Sequence, residues 1–172
     1  LGGRLIGISK DLLWECYSSE QIDSIGICIF NFKKGRNFFI GDETGIGKGR
    51  ILSGISKWAW SQGMKVLFFT EREHLISEFW KDLHHTYNID SISNPISFHG
   101  SSKVFNQNGN VDLKGTAKKV KEIELNGFDK ETNLVMTNYS QISLKQHKTN
   151  KLEKMKKYCK NAIIILDEAH NA

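Results

Sequence analysis

The stretch that decides the fold runs from Phe38 to Arg50 and reads FFIGDETGIGKGR. Its apolar start is typical of a strand, and a glycine-rich turn carrying a lysine follows before a helical pattern begins. Gly45 and Gly47 allow backbone N–H groups to approach phosphate oxygens, and a helix that opens near Lys48 adds its positive N-terminal dipole. The pattern predicts a phosphate-binding loop in which Lys48 carries the charge for the β and γ phosphates.

Two positions depart from the usual phosphate-loop pattern. The usual loop begins with glycine and has serine or threonine after the lysine, whereas this chain has Asp42 and Gly49 there. Taken alone, the segment is therefore equally compatible with a glycine-rich surface turn.

A second apolar run, Ile163 to Leu166, precedes Asp167-Glu168-Ala169-His170. We expect a strand buried on both faces, with the acidic pair at its C-terminal end, where parallel sheets bind ligands. In this position Asp167 would orient magnesium, directly or through water, and Glu168 would polarise the attacking water. The alternative is two solvated acids after a core strand, but the order of the two motifs and their placement at strand ends favour a nucleotide site.

These blocks resemble the first RecA-like domain of superfamily 2 helicases and translocases, and most closely the strawberry notch family. Gly41 to Arg50 looks like that family's own phosphate loop, in which glycine follows the lysine and arginine comes next. Asp167 to His170 is similar to a DEAH box. The resemblance covers most of residues 18–172 and is weakest between 99 and 132.

Three further segments carry the resemblance. Val66 to Thr70, followed by the helical pattern Glu73 to Leu83, is similar to helicase motif Ia. Leu134 to Ser140 looks like the later strand and turn that meet nucleic acid. Ser19 to Ile22 resembles the segment before the phosphate loop, where a glutamine, here Gln21, reads the adenine edge.

The resemblance implies a site that takes ATP and Mg²⁺. Glu168, Lys48 and Asp167 are the implied catalytic residues, Asp167 is a metal ligand, and His170 couples the site to a partner lobe. Since Gly49 has no hydroxyl, Thr44 or an ordered water would fill that metal position. Arg72 and Asn138 are weaker candidates for phosphate contacts with nucleic acid. The implied nucleotide-binding residues are Gln21, Glu43, Thr44, Gly45, Ile46, Gly47, Lys48, Gly49 and Arg50.

The hydrophobic pattern predicts an α/β fold with a three-layer parallel sheet and helices on both faces. The resemblance implies that this is a RecA-like P-loop NTPase domain, and we expect it to be incomplete. Helices are predicted over 19–34, from the loop to Gly63, and over 73–83, with strands at Asn37 to Ile40 and Met64 to Thr70. Residues 99–132 are rich in Asn, Lys, Gly and Ser and predict a loop-rich insertion, with a short helix at about Thr116 to Leu125.

Length and composition limit the function. The 172 residues match one domain, so we expect the N-terminal part of a helicase ATP-binding domain, with the second RecA-like domain absent from this chain. No apolar run reaches membrane-spanning length, and no secretory signal is present. Cys16, Cys28 and Cys159 lack paired metal spacing, which predicts reduced cysteines and an intracellular location. His84 and His85 are interpreted as packing or surface residues, not zinc ligands.

We therefore expect an ATP hydrolase, weakly active or inactive as an isolated piece, that couples hydrolysis to movement on nucleic acid or remodelling of its complexes. The implied partners are nucleic acid, with DNA favoured over RNA, and a second RecA-like lobe in cis or in trans. The alternatives are a non-catalytic scaffold module in a transcription or viral-type assembly and a restriction-type or chromatin-remodelling translocase. Seven lysines between Ser143 and Lys160 suggest a basic patch for nucleic acid. The helical spacing of Leu152, Met155 and Cys159 instead favours a helix packed on the sheet, with the lysines on its solvent-exposed side.

Overall fold

A computed structural model describes residues 7–41, 47–141 and 150–169 of the chain. Helices and strands alternate, as the hydrophobic pattern predicts. The helices are α1 (Lys10–Cys16), α2 (Ser19–Lys33), α3 (Lys48–Ser61), α4 (Glu73–His85), α5 (Ala117–Asn126) and α6 (Asn150–Tyr158). The strands are β1 (Lys65–Thr70), β2 (Ile96–Ser97), β3 (Lys103–Phe105), β4 (Val111–Lys114), β5 (Leu134–Asn138) and β6 (Ala162–Leu166).

The central sheet has the strand order β2-β5-β1-β6, and all its pairs are parallel. Thr70 is paired with Asn138, and Phe69 with Leu166, so β1, β5 and β6 end at the same edge. Parallel strands need crossover connections, which α4 and the segment containing α6 supply. This topology brings the residues that follow each strand together at one edge of the sheet.

Apolar side chains cover both faces of the sheet and confirm the three-layer prediction. On one face Phe68 and Met136 pack with side chains of α2, α3 and α4, and Phe68 stacks on Phe79 of α4 with ring centroids 4.2 Å apart. On the other face Leu67 and Val135 pack with side chains of α5 and α6. The alternation of side chains along a strand explains why consecutive residues serve different layers.

Local signals in the sequence determine where helix α2 begins and ends. Ser18 and Gln21 form a capping box, in which each side chain accepts a hydrogen bond from the other residue's backbone N–H, at 3.4 and 3.1 Å. The helix ends at Lys33, and Gly35 follows with φ of 69°, a conformation that glycine adopts without strain.

Two sequence predictions about strands are wrong. Asn37 to Ile40 forms no strand and pairs with none in the described ranges; its residues 38–40 line a cavity together with β6, which pairs only with β1. Strand β6 is also not buried on both faces, since Ile164 and Leu166 are 49% and 54% exposed. An apolar run predicts a strand but does not specify which neighbours cover it.

Residues 99–132 contain a β3–β4 hairpin and helix α5, close to the predicted helix. The hairpin is held on α4, where Trp80 Nε1 donates to Asp112 Oδ2 at 2.9 Å. His84 packs edge-on against Trp80 at 5.4 Å, in agreement with its interpretation as a packing residue. No helix in the described part of the chain is long and apolar enough to span a membrane.

Candidate functional site at the sheet edge

Asp167 is the first residue after β6, and three hydrogen bonds hold it against the neighbouring strands. Its backbone N–H donates to the carbonyl oxygen of Phe69 at 2.8 Å. Its carboxylate Oδ2 accepts from the Thr70 hydroxyl at 3.2 Å, and its carbonyl oxygen accepts from the Tyr139 hydroxyl at 2.8 Å. Residues from the ends of β1 and β5 therefore fix both the backbone and the side chain of Asp167.

The groups around Asp167 shift the pKa of its carboxyl in opposite directions. Burial raises the pKa of the Asp167 carboxyl above its ordinary value, and the negative charge of Glu168 adds to the rise. The hydrogen bond from Thr70 and the positive charge of Lys48 act in the opposite direction and lower this pKa. A partly buried carboxylate beside a lysine is a suitable ligand for a divalent cation, whose charge would offset the desolvation.

Glu168 lies in the turn after β6 with φ of 52°, in the left-handed region. A residue with a Cβ atom is strained there by roughly 1–2 kcal/mol. Glu168 and Asp167 border the same cavity. The predicted division of labour between the two carboxylates stays a prediction.

Lys48 borders this cavity as well. The cavity has a volume of about 320 Å³. Its charged lining residues are Lys48, Asp167 and Glu168, and its apolar lining comes mainly from segment 38–41 and from β6. The structure thus brings together the three residues that the sequence assigned to catalysis.

Gln21 lies at the base of the predicted loop. A Cβ atom at Gly47 would overlap the Gln21 amide nitrogen and would be 3.6 Å from its Cδ. Gly47 also has φ of 77° as the N-cap of α3, so both its conformation and its space require glycine. Gln21 is buried, and its position beside Gly47 agrees with a role near the nucleotide.

Gly49 and Arg50 do not border the cavity. Both belong to the first turn of α3, and Gly49 faces Asp82 of α4. Arg50 is exposed, and its positive charge acts on Asp82 and on Cys16 of α1. Their predicted contacts with nucleotide stay a prediction. Glu43, Thr44, Gly45, Ile46 and His170 lie outside the described residues.

The candidates for nucleic-acid contact differ in exposure. Arg72 is exposed and lies 3.6 Å from Glu71, whereas Asn138 is only 8% exposed and accepts a hydrogen bond from Ser140 at 2.7 Å. Arg72 is therefore the more accessible of the two. In the lysine-rich segment, Lys151 lies 3.5 Å from Glu124 and Met155 is buried. Both agree with a packed helix whose lysines lie on its solvent-exposed side.

Sequence reasoning missed the residues that support Asp167. In the sequence, Thr70 falls in the motif Ia segment and Tyr139 in the segment that meets nucleic acid, and neither is assigned to the nucleotide site, yet both donate hydrogen bonds to Asp167. Tyr139 also stacks on Phe69, with ring centroids 6.0 Å apart. The available signal was their place directly at or after strand ends, because parallel strands bring such residues together.

The family model described as P-loop containing NTP hydrolase pore-1 matches residues 15–172. The chain belongs to this family. No curated protein matches the chain. Membership of the P-loop containing NTP hydrolase pore-1 family agrees with the α/β fold, with the loop before α3 and with the acidic pair after β6.

P-loop NTP hydrolases bind nucleotide phosphates, generally together with Mg²⁺. The described residues fit such a group, because a lysine and a partly buried carboxylate border one cavity. Bound Mg²⁺ would neutralise charge on the phosphates, and Asp167 would hold it. Among the described residues no cluster of three or more His, Cys, Asp or Glu side chains forms a ready-made metal site. One carboxylate plus substrate phosphates is the usual arrangement for Mg²⁺ in such proteins.

Proposed function

We propose that this chain is the ATP-binding motor lobe of a superfamily 2 helicase-like protein similar to the strawberry notch family. In this proposal it couples ATP hydrolysis to translocation on nucleic acid, or to remodelling of complexes on it. The observation that carries the proposal is the shared cavity of Lys48, Asp167 and Glu168. A family of NTP hydrolases supplies the reaction class, and the strawberry notch resemblance supplies the motor role.

The chemistry is an in-line attack of water on the γ-phosphate. Lys48 binds phosphate oxygens and offsets their charge, and Asp167 would hold Mg²⁺, which would neutralise further phosphate charge. Glu168 orients the water and accepts its proton as the water oxygen bonds to the γ-phosphorus; the bond from that phosphorus to the β–γ bridging oxygen breaks, and ADP and phosphate are released. Gln21 lies beside Gly47, and the strawberry notch resemblance gives it the role of reading the adenine edge, which supports ATP as the nucleotide.

The nucleic acid would cross the same edge of the sheet. Arg72 follows β1 and is exposed, and its neighbour in the sheet, β5, ends at Asn138. A net charge of +5 favours association with a polyanion. A second RecA-like lobe would complete the site, and the resemblance gives His170 the role of coupling the two lobes.

Nucleotide binding tests the central claim. Lys48→Ala should weaken ATP affinity at least tenfold, because the lysine is the only described side-chain cation that borders the cavity. Calorimetry with Mg²⁺ and a non-hydrolysable ATP analogue measures this, and Lys81→Ala, on the outer side of α4, is the matched control. Equal affinities for wild type and Lys48→Ala would remove the proposed nucleotide site.

Hydrolysis in the full-length protein tests the motor role. Glu168→Gln should reduce the ATPase rate about 100-fold or more while leaving ATP affinity within about threefold, because the amide cannot accept the proton. Glu153→Gln on α6 is the control for loss of an exposed carboxylate. A protein that binds ATP but shows no ATPase activity with DNA or RNA would instead fit the scaffold alternative.

A further inference from the structure

Helices α3 and α4 contact each other through polar residues at matching positions. The hydroxyl groups of Ser53 and Thr86 are 2.5 Å apart, and Asn88 Nδ2 donates to Ser53 Oγ at 2.9 Å. One helical turn earlier on each side lie Gly49 and Asp82. The same two faces therefore continue toward the N-terminus of α3, and Gly49 faces α4.

The Asp82 carboxylate fills the space that a side chain at residue 49 would need. A Cβ atom on Gly49 would overlap Asp82 Oδ2 and would lie 3.0 Å from Asp82 Cγ. Gly49 has an ordinary backbone conformation, without the positive φ that requires glycine elsewhere. A side chain at residue 49 would therefore require the Asp82 carboxylate to move, and the reason is space alone.

The charges around Asp82 connect it to the first turn of α3. Burial raises the pKa of Asp82, and the positive charge of Arg50 and then of His85 lowers it, while Glu78 raises it further. Arg50 follows Gly49 directly, so one carboxylate contacts residue 49 and attracts residue 50. Both interactions restrain the turn that presents Lys48 to the cavity.

We infer that Asp82 is a positioning residue for the nucleotide site: it packs against Gly49, attracts Arg50 and thereby sets how Lys48 meets phosphate. In the usual phosphate loop a serine or threonine hydroxyl occupies the position after the lysine. In this chain a carboxylate from the next helix occupies that space. The inference rests on the proposed nucleotide site and assigns α4 a part in shaping it.

A rescue experiment tests the contact between residues 49 and 82. Gly49→Ser should weaken ATP-analogue affinity about tenfold or more, because overpacking moves the first turn of α3. Adding Asp82→Ala should raise affinity above that of Gly49→Ser, to the level of Asp82→Asn, because the serine then has space and only the charge of Asp82 is missing. Gly26→Ser is the matched control, since a Cβ atom there contacts nothing within 4 Å. Thermal unfolding midpoints are measured for every variant.

A second variant separates the charge of Asp82 from its shape. Asp82→Asn keeps the volume and removes the attraction to Arg50, so ATP-analogue affinity should fall about threefold to tenfold with little change in the unfolding midpoint. A residue that only supports folding would change the midpoint and leave affinity intact. If Gly49→Ser does not fold, recovery of both folding and binding in the double variant still supports the contact.

These binding measurements distinguish failure of the proposed nucleotide site from failure of the role assigned to Asp82. If Lys48→Ala binds like wild type, the nucleotide site itself is wrong. If Lys48→Ala loses binding but Gly49→Ser binds normally, only the assignment of Asp82 is overturned. Failure of Asp82→Ala to rescue Gly49→Ser, or unchanged affinity in Asp82→Asn, would also overturn it.

Discussion

Strands β1 and β6 are neighbours that both end at the candidate site, but they are covered very differently. Every residue of β1 after Lys65 is buried, whereas burial along β6 alternates and exposes Ile164 and Leu166. Both strands are strongly apolar in sequence. The difference shows that position in the sheet, and not composition, decides whether an apolar strand has two covered faces.

The same difference determines how Asp167 is held. The covered strand β1 supplies the bonds from Phe69 and Thr70, so Asp167 is anchored on the interior side. On the other side β6 borders the cavity with Lys48. An interior strand therefore positions the carboxylate, and an edge strand leaves it accessible to a ligand.

The largest expected effect contrasts the two strands directly. Phe68→Ala should lower the free energy of unfolding by about 3–5 kcal/mol, because Phe68 is fully buried and stacks on Phe79. Leu166→Ala should change it by less than about 1 kcal/mol, because Leu166 is more than half exposed. Urea denaturation measures both. Similar losses for the two variants would mean that β6 is covered in solution.

An intermediate effect concerns the bond between β1 and Asp167. Thr70→Val keeps the shape of a fully buried side chain but removes the hydroxyl that donates to Asp167, so we expect a loss of about 1–2 kcal/mol. Thr70→Ser retains the hydroxyl and is the control. If serine costs as much as valine, packing and not the hydrogen bond explains the result.

The smallest effect concerns the charge of Asp167 and depends on pH. Burial raises the pKa of Asp167 above the ordinary value of 3.8, so the folded state binds this proton more tightly than the unfolded state. Stability from this group is therefore present at low pH and is lost as pH rises through the folded-state pKa. Asp167→Asn should be more stable than wild type at pH 7, by less than about 1 kcal/mol because the carboxylate is only partly buried.

Urea denaturation at pH 7 and near pH 3.5 measures that difference, which should shrink at the lower pH. The exposed Asp90→Asn is the control for loss of one negative charge. A stability difference that grows toward low pH would contradict the assigned direction.

Much of the fold was predictable because its signals are local. The boundaries of α2 follow from Ser18, Gln21 and Gly35, and the apolar strand 65–70 was predicted within one residue. Order along the chain was sufficient for these features. The grouping of Lys48 with Asp167 was predicted on the premise that both follow strands, but in the structure only Asp167 does, and Lys48 borders the cavity from the first turn of α3.

The errors and omissions involve contacts between distant segments. No local pattern distinguishes Asn37 to Ile40 from a paired strand, because pairing depends on what lies beside it. The approach of Asp82 to Gly49 joins two helices, and its only sequence signal was a glycine where a hydroxyl residue is usual. Such a substitution marks close packing but does not identify the neighbour.

At Glu168, which has a left-handed backbone conformation, folding and the proposed chemistry favour different residues. Glycine would adopt this backbone conformation without penalty, so a sequence optimised only for folding would have glycine there. If Glu168 orients the attacking water as proposed, replacing it by glycine would relieve the backbone strain and abolish hydrolysis together. A protein engineer could use that variant as a stable, inert template and reintroduce the carboxylate last.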